Sequence, residues 1–345
     1  MQVGLVTGKQ TVDLVEMPDP EPSDGKAVVE ISYCGICGTD LHAYQSGAPY
    51  NPAICGHEWV GHVSASHAST PNVKEGDRVA IGVASSCGQC SSCLRGLTDF
   101  CEVAFAGAIG VGPLAAPHGG FASAIAFDAS RLYHVPPTVT DEAAGLLEPA
   151  TVAVHAVRRT PLNVGENAVV IGAGPIGLLV LQAAIVNGVG PVVVVEPQAS
   201  RAQMALDMGA HAVIDPNATD NLGEAINAAL GTTGADIVFE CAGIAPTIQT
   251  SVDLVRRGGT VSLVGVPNGQ ATIDPNVWLV KELTLKSSIA YLHEDFEITK
   301  DLVARGLLNT EPLHTSTVGL TGLQDAFDRL SSEPSEVKIL VNPRL

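Results

Sequence analysis

The sequence predicts an α/β protein in two parts, one β-rich and one built on a doubly wound parallel sheet. Three observations carry this. A chain of 345 residues exceeds what one compact core usually holds, so two domains are expected. Residues 1 to about 150 hold short apolar runs such as Ala27–Ser32 and Arg78–Ile81, separated by turn clusters such as Pro22-Ser23-Asp24-Gly25 and Glu75-Gly76-Asp77. From about 150 to 290, apolar strands alternate with helix-like stretches, the signature of a parallel sheet. The strands are Ala168–Ile171, Val192–Val195, Ala212–Ile214, Ile237–Phe239 and Thr260–Val264, and one intervening helix, Ser200–Met208, is ended by Gly209. Beyond about Ala290 come amphipathic helix candidates, Asp295–Arg305 and Leu323–Leu330, and a last strand, Val337–Val341.

Acidic residues outnumber basic ones 36 to 18, a formal charge of −18. Such a surface repels phosphate backbones and makes nucleic acid an unfavourable partner. The N-terminal segment, Met1 to Pro20, has no basic region followed by an apolar run, so no signal peptide is expected there. Ala168 to Val195 carries no charge and is long enough for a membrane span. Gly172, Gly174, Pro175, Gly177, Gly188, Gly190 and Pro191 divide it, however, and a buried strand, a helix and a second buried strand explain it better. No membrane partner is expected. Five of the eight cysteines fall at metal-ligand spacings, which favours thiolates on metal in a reduced, cytoplasmic setting over a disulfide framework.

Val169-Val170-Ile171 runs into Gly172-Ala173-Gly174-Pro175-Ile176-Gly177, a G-x-G-x-x-G loop between an apolar strand and the apolar run Leu178–Val186. The first glycine permits a tight turn, the second a close backbone approach to a pyrophosphate, the third close packing of helix on strand. Helix amides and dipole then meet the phosphate charge. Glu196 ends the next strand, 19 residues beyond Gly177. A carboxylate there accepts hydrogen bonds from ribose hydroxyls and repels a 2′-phosphate, which favours NAD over NADP. Arg201 lies close in sequence and either softens that preference or lies along the adenosine.

Cys87-x2-Cys90-x2-Cys93-x7-Cys101 sets four thiols within fifteen residues, in a loop loosened by Gly88, Ser91, Ser92 and Gly96. Four thiolates suit a closed tetrahedral zinc that stabilises a lobe. The iron–sulfur alternative uses a shorter last gap and a proline after the fourth cysteine, where Glu102 stands here. Three further segments together suggest an open zinc site. Cys37-Gly38-Thr39-Asp40-Leu41-His42 offers a thiolate, Gly56-His57-Glu58 an imidazole and a carboxylate, and Leu147-Glu148-Pro149 another carboxylate. A catalytic zinc takes about three protein ligands and leaves one position open. Zinc lowers the pKa of an alcohol oxygen, and hydride loss to a nicotinamide becomes feasible. Thr39 and His42 can relay the alcohol proton to solvent, and Asp40 is expected to orient His57.

With these features the chain resembles the zinc-containing medium-chain alcohol dehydrogenase family over nearly its whole length. The resemblance is carried by Cys34-Gly-Ile-Cys-Gly-Thr-Asp-Leu-His42, Gly56-His57-Glu58, Gly76-Asp77-Arg78-Val79, the four-cysteine lobe, Gly119-Gly120-Phe121-Ala122, Leu147-Glu148-Pro149 and the dinucleotide loop. Lys281-Glu282-Leu283-Thr284-Leu285 followed by Glu294-Asp295-Phe296 is most similar to the polyol, butanediol and threonine dehydrogenase branch. The resemblance implies a GroES-like domain over 1–150, a Rossmann domain over 151–289, and a return of 290–345 to the first. It implies two zinc ions and NAD per chain. The catalytic zinc would sit on Cys37, His57 and Glu58, with Glu148 bound directly or through water, and the structural zinc on Cys87, Cys90, Cys93 and Cys101. It also implies Thr39 and His42 as proton relay, Lys338 as a contact to the cofactor phosphates, Ser287–Tyr291 as pocket lining, and a homodimer or homotetramer. The chain departs from the family at Ser64–Ser69, where a second glycine is usual, and at Cys55, where an apolar residue is common. The activity implied is hydride transfer between a secondary alcohol, vicinal diol or polyol and NAD. Threonine or a primary alcohol is the alternative substrate on the same scaffold, and a non-catalytic protein that binds NAD and zinc is the alternative of another class.

Overall fold

The computed structural model describes residues 1–267, 269–333 and 335–345. It divides into two compact units: Met1–Glu148 with Leu292–Gly306 and Thr310–Leu345, and Pro149–Tyr291 with Leu307–Asn309. Fifteen strands are described. Those of the N-terminal stretch are β1 (Gln2–Gly8), β2 (Thr11–Glu16), β3 (Lys26–Gly35), β4 (Glu58–Ser66), β5 (Arg78–Ile81), β6 (Ala124–Asp128) and β7 (Leu132–His134). The second unit holds β8 (Ala168–Ile171), β9 (Val192–Val195), β10 (Ala212–Ile214), β11 (Ala235–Glu240), β12 (Val255–Leu263) and β13 (Thr284–Ser287). The C-terminal return adds β14 (His314–Val318) and β15 (Lys338–Val341).

In the first unit, a seven-stranded sheet runs in the order β14-β15-β3-β4-β5-β7, with β6 also paired to β3, and β1 and β2 form a separate pair. β3 is the longest strand and pairs antiparallel with β4, β6 and β15. Ala27, Val29 and Ile31, two residues apart and so on one face of the strand, pack with Trp59, Phe121, Phe127 and Phe327 into one core. Expected strand edges grow by a few residues: the run read as Ala27–Ser32 extends to Gly35, because Cys34 and Gly35 find partners in both Trp59–Glu58 and Val341–Leu340. That extension carries the chain to the metal-ligand segment.

In the second unit, six parallel strands run in the order β10-β9-β8-β11-β12-β13. All four residues of β8 and of β9 are buried, as expected for strands covered on both faces. The charge-free segment is thus β8, the helix Pro175–Val186 and β9. Among the described residues, no helix is long and apolar enough to cross a membrane. The strand order reverses between β8 and β11, and a crevice opens at the carboxyl ends of strands at such a point.

Candidate metal and dinucleotide sites

The first site is assembled where β3 ends and β4 and β15 begin. Gly35 lies opposite Glu58 in the β3–β4 register and opposite Leu340 in the β3–β15 register. A Cβ on Gly35 would fall 2.3 Å from Glu58 Oε2, so the glycine makes room for that carboxylate. Two residues on, Cys37 caps the helix Gly38–Ser46. Its Sγ accepts from Thr39 N at 3.5 Å, and the Asp40 carboxylate accepts from Cys37 N at 2.9 Å, a reciprocal cap. His57 and Glu58 follow the short 3₁₀ turn Pro52–Ile54. His57 Nδ1 donates to Ile54 O at 2.8 Å; a carbonyl only accepts, so Nδ1 carries the proton and Nε2 is the ligand atom. The donor atoms of Cys37, His57 and Glu58 lie within 4.8 Å of one another. Glu148, half-buried in the first turn of the helix Leu147–Arg159, acts electrostatically on both His57 and Lys338.

Two expected roles are corrected here. Lys338 does not present its charge to a cofactor. The residue is 2% exposed, and its ammonium spends its three donors on Glu58 Oε1 at 2.9 Å, Glu58 Oε2 at 2.6 Å and Ile36 O at 2.9 Å. The sheet causes this: β15 begins at Lys338, beside the end of β3. Asp40 faces the imidazole as an ion pair rather than as the acceptor of its Nδ1 hydrogen bond. It stands 4.0 Å from His57 Nδ1, whose proton goes to Ile54 O. The Asp40 carboxylate instead accepts from Cys37 N, from Gly56 N at 3.3 Å and from Tyr50 Oη at 2.6 Å, so one buried acid ties both ligand segments together.

Burial opposes a charge on His57, yet the neighbouring Cys37, Asp40 and Glu148 hold it well above its ordinary pKa. Lys338 behaves alike: burial lowers it, and Glu58, Cys37 and Glu148 raise it further. A pocket in which anionic groups draw every nearby cation is built for positive charge. Sulfur, nitrogen and oxygen donors with three protein ligands suit zinc with an open position.

In the lobe, the four sulfurs of Cys87, Cys90, Cys93 and Cys101 also lie within 4.8 Å of one another. Backbone amides point at them: Cys87 N to Cys101 Sγ and Cys90 N to Cys87 Sγ, each 3.3 Å, and Ala104 N to Cys101 Sγ, 3.5 Å. The amides of Cys93 and Glu102 bring the Cys90 thiol down to about 6, and those of Cys87 and Ala104 lower Cys101 against burial. Amide donors that offset shared thiolate charge fit a closed four-sulfur zinc site. All eight cysteines are free of disulfides.

In the second unit, the glycine loop follows β8. Gly172 has φ +94°, and a Cβ on Gly177 would lie 1.9 Å from Gly172 O, so turn and helix packing both require glycine. A Cβ on Gly174 would meet nothing within 4 Å, which leaves open space at the N-terminus of the helix Pro175–Val186. Pro175 is the first residue of that helix and Ile176 the second, so no amide is lost by the proline. Glu196 Oε2 accepts from Ala173 N at 2.7 Å and Oε1 from Gln198 N at 2.9 Å, which fastens the carboxylate to the loop. Arg201 is half-buried in the helix Ala199–Asp207. The loop, the acid and the open helix end fit a dinucleotide.

Comparison with known proteins matches residues 23–137 to the alcohol dehydrogenase GroES-like domain and residues 175–305 to the zinc-binding dehydrogenase domain. The chain is 34% identical to 2-dehydro-3-deoxy-L-galactonate 5-dehydrogenase of Pseudoalteromonas atlantica, over 97% of this chain and 96% of that one. The chain belongs to the zinc-containing alcohol dehydrogenase family. It is also 30% identical to sorbitol dehydrogenase of Bacillus subtilis, over 99% of this dehydrogenase and 97% of that one. The crystal structure of 2R,3R-butanediol dehydrogenase from Bacillus subtilis matches it with a TM-score of 0.85 at 30% identity, covering 99% of both chains. The dehydrogenase is accordingly an enzyme of CH–OH groups with a GroES-like and a Rossmann part, using zinc and a nicotinamide cofactor.

Proposed function

We propose that this dehydrogenase oxidises a secondary hydroxyl of a vicinal diol or polyol to the ketone, with NAD as acceptor, at the Cys37–His57–Glu58 centre. The observation that carries the reading is the approach of those three donor atoms to within 4.8 Å in a pocket dominated by negative charge. Cys37, His57 and Glu58 would hold the catalytic zinc, with Glu148 a direct or water-bridged fourth group. Cys87, Cys90, Cys93 and Cys101 would hold the structural one. When bound, zinc supplies Lewis acidity toward the alcohol oxygen and nicotinamide accepts the hydride.

The chain's own residues do the rest. Lys338 holds both oxygens of Glu58 and so limits how closely that carboxylate engages the metal. Ile54 O fixes the ring of His57. Thr39 Oγ1 lies 3.7 Å from Cys37 Sγ, beside the ligand set, and takes the alcohol proton. His42, exposed and three residues along the same helix, passes it to solvent. On the cofactor side, Gly172, Gly174, Pro175, Ile176 and Gly177 would cradle the pyrophosphate and Arg201 lie near the adenosine. Each oxygen of Glu196 has one amide donor and keeps a lone pair for a ribose hydroxyl.

Aromatic residues make up only 4% of the chain, which leaves few bulky groups to narrow the pocket and favours a hydrated, branched substrate. The sugar-acid, sorbitol and butanediol specificities of the relatives support the same class. The dehydrogenase is read as a homodimer or homotetramer. β13 is an end strand of its sheet, and Leu279 and Val280 on the helix Pro275–Lys281 before it and Ile289 just after it are 76%, 71% and 66% exposed, apolar side chains suited to a second copy. Eight free cysteines suit a reducing compartment, the cytoplasm. The test is the initial rate of NAD reduction with butane-2,3-diol isomers, sorbitol, threonine, propan-2-ol and benzyl alcohol. Diols or polyols should lead. Preference for threonine or benzyl alcohol would replace the reading.

A further inference from the structure

Glu240 ends β11 and is fully buried, and neither the metal centre nor the glycine loop uses its side chain. Its Oε1 accepts from Ala242 N at 3.0 Å, Gly243 N at 2.9 Å and Thr247 Oγ1 at 2.7 Å. Among the described residues, Oε2 has no hydrogen-bond partner and no Lys, Arg or His pairs with the carboxylate. A Cβ on Gly265 would fall 2.9 Å from Oε2, so this oxygen faces the segment that follows β12. The main chain holds the same segment: Glu240 O accepts from Val264 N at 2.9 Å and Gly265 N at 2.8 Å. Burial and the Glu240 charge together push the neighbouring Cys241 thiol well above its ordinary pKa. A buried anion without a counterion keeps a field that salt and water screen little.

The strand order decides which part of a dinucleotide this field reaches. In the order β10-β9-β8-β11-β12-β13, Glu196 follows β9 and the glycine loop follows β8. The adenosine half would therefore lie on the β9 side of the switch point. The nicotinamide half would lie on the side of β11 and β12, where Glu240 stands. The nicotinamide ring of NAD⁺ is cationic and loses that charge on accepting hydride. We propose that Glu240 is a specificity-determining residue for the redox state of the cofactor: its buried carboxylate favours the cationic, oxidised nicotinamide over the neutral, reduced one. Repulsion of the pyrophosphate is common to both forms and cancels from the comparison. The reduced cofactor gains nothing from the anion and leaves more readily.

The proposal rests on the reading that this unit binds NAD, and the experiment separates the two. Dissociation constants of NAD⁺, NADH and ADP-ribose are measured by titration calorimetry on the intact, zinc-loaded enzyme as wild type, Glu240→Gln and Glu240→Asp. Glu240→Gln keeps the shape and an acceptor for the three donors but removes the charge. It should raise the ratio of Kd for NAD⁺ to Kd for NADH about fivefold or more. ADP-ribose, which has no nicotinamide, should bind at least as well as before. Glu240→Asp keeps the charge on a shorter side chain, and its ratio should stay within about twofold of wild type. A ratio that stays at the wild-type value in Glu240→Gln overturns the proposal. So does an equal loss for all three ligands, the result of a residue that only holds the loops. A ratio in Glu240→Asp that rises about fivefold also overturns it, and this variant decides the matter if Glu240→Gln does not fold. If wild type binds none of the three ligands, the cofactor reading itself falls, and the proposal with it.

Discussion

Replacing Lys338 by Met removes the cation of a buried pair and changes little else in length or volume. The two side chains are 3% and 1% exposed, and the ammonium makes three hydrogen bonds of 2.6–2.9 Å. After the substitution Glu58 keeps its charge without a partner, and Ile36 O loses its donor. Breaking a buried pair from one side costs about 3–5 kcal/mol, because the surviving charge has neither water nor counterion. At roughly 2–4 °C per kcal/mol for a unit of this size, the melting temperature should fall by about 6–20 °C. The assay is thermal unfolding followed by circular dichroism on metal-free protein without cofactor, since a metal held by Glu58 would replace the lost counterion. The double variant Glu58→Gln/Lys338→Met removes both charges and should recover at least half of the loss. A single variant that melts with wild type would refute the reasoning. So would a double variant as unstable as the single, which would show that Lys338 stabilises through something other than Glu58.

Other outcomes follow from the same geometry. Glu196→Gln should narrow the preference for NAD over NADP, measured as the ratio of kcat/KM, by about tenfold, the worth of one charge–hydroxyl contact of about 1.5 kcal/mol. An unaltered ratio would assign the preference to another residue. His42→Ala should slow alcohol oxidation by about 10²-fold at most, and chiefly at lower pH, where solvent hydroxide cannot replace the base. An unchanged pH–rate profile would remove His42 from the relay.

What could be read from the sequence was what the chain encodes locally. The glycine loop, the acid after the next strand and the four cysteines within fifteen residues each act over a short span, where spacing alone fixes the geometry. The uncharged run Ala168–Val195 became two buried strands and a helix because glycines and prolines mark its joints. What failed was set by long-range pairing. Lys338 meets Glu58 across 280 residues of sequence, and only the adjacency of β15 and β3 brings them together. The family resemblance drew Lys338 toward the cofactor, but no local pattern predicts that a lysine at a strand start turns inward. Asp40 sits three residues from Cys37 and accepts from its amide, yet its other hydrogen-bond partners, Tyr50 and Gly56, come from the other segment. The helix Leu147–Arg159 was hidden by Pro149, which reads as a breaker but is tolerated in a first turn, where its amide would have no partner. Gly258 and Gly259 likewise hid the first half of β12.

The most direct test of the central claim is zinc content measured alongside turnover in wild type and Cys37→Ser. Wild type should carry two zinc ions per chain and reduce NAD with a diol or polyol. Cys37→Ser should carry one, bind NAD as before and give no turnover. Two zinc ions and normal turnover in Cys37→Ser would contradict the assignment of Cys37, His57 and Glu58 as the catalytic metal centre.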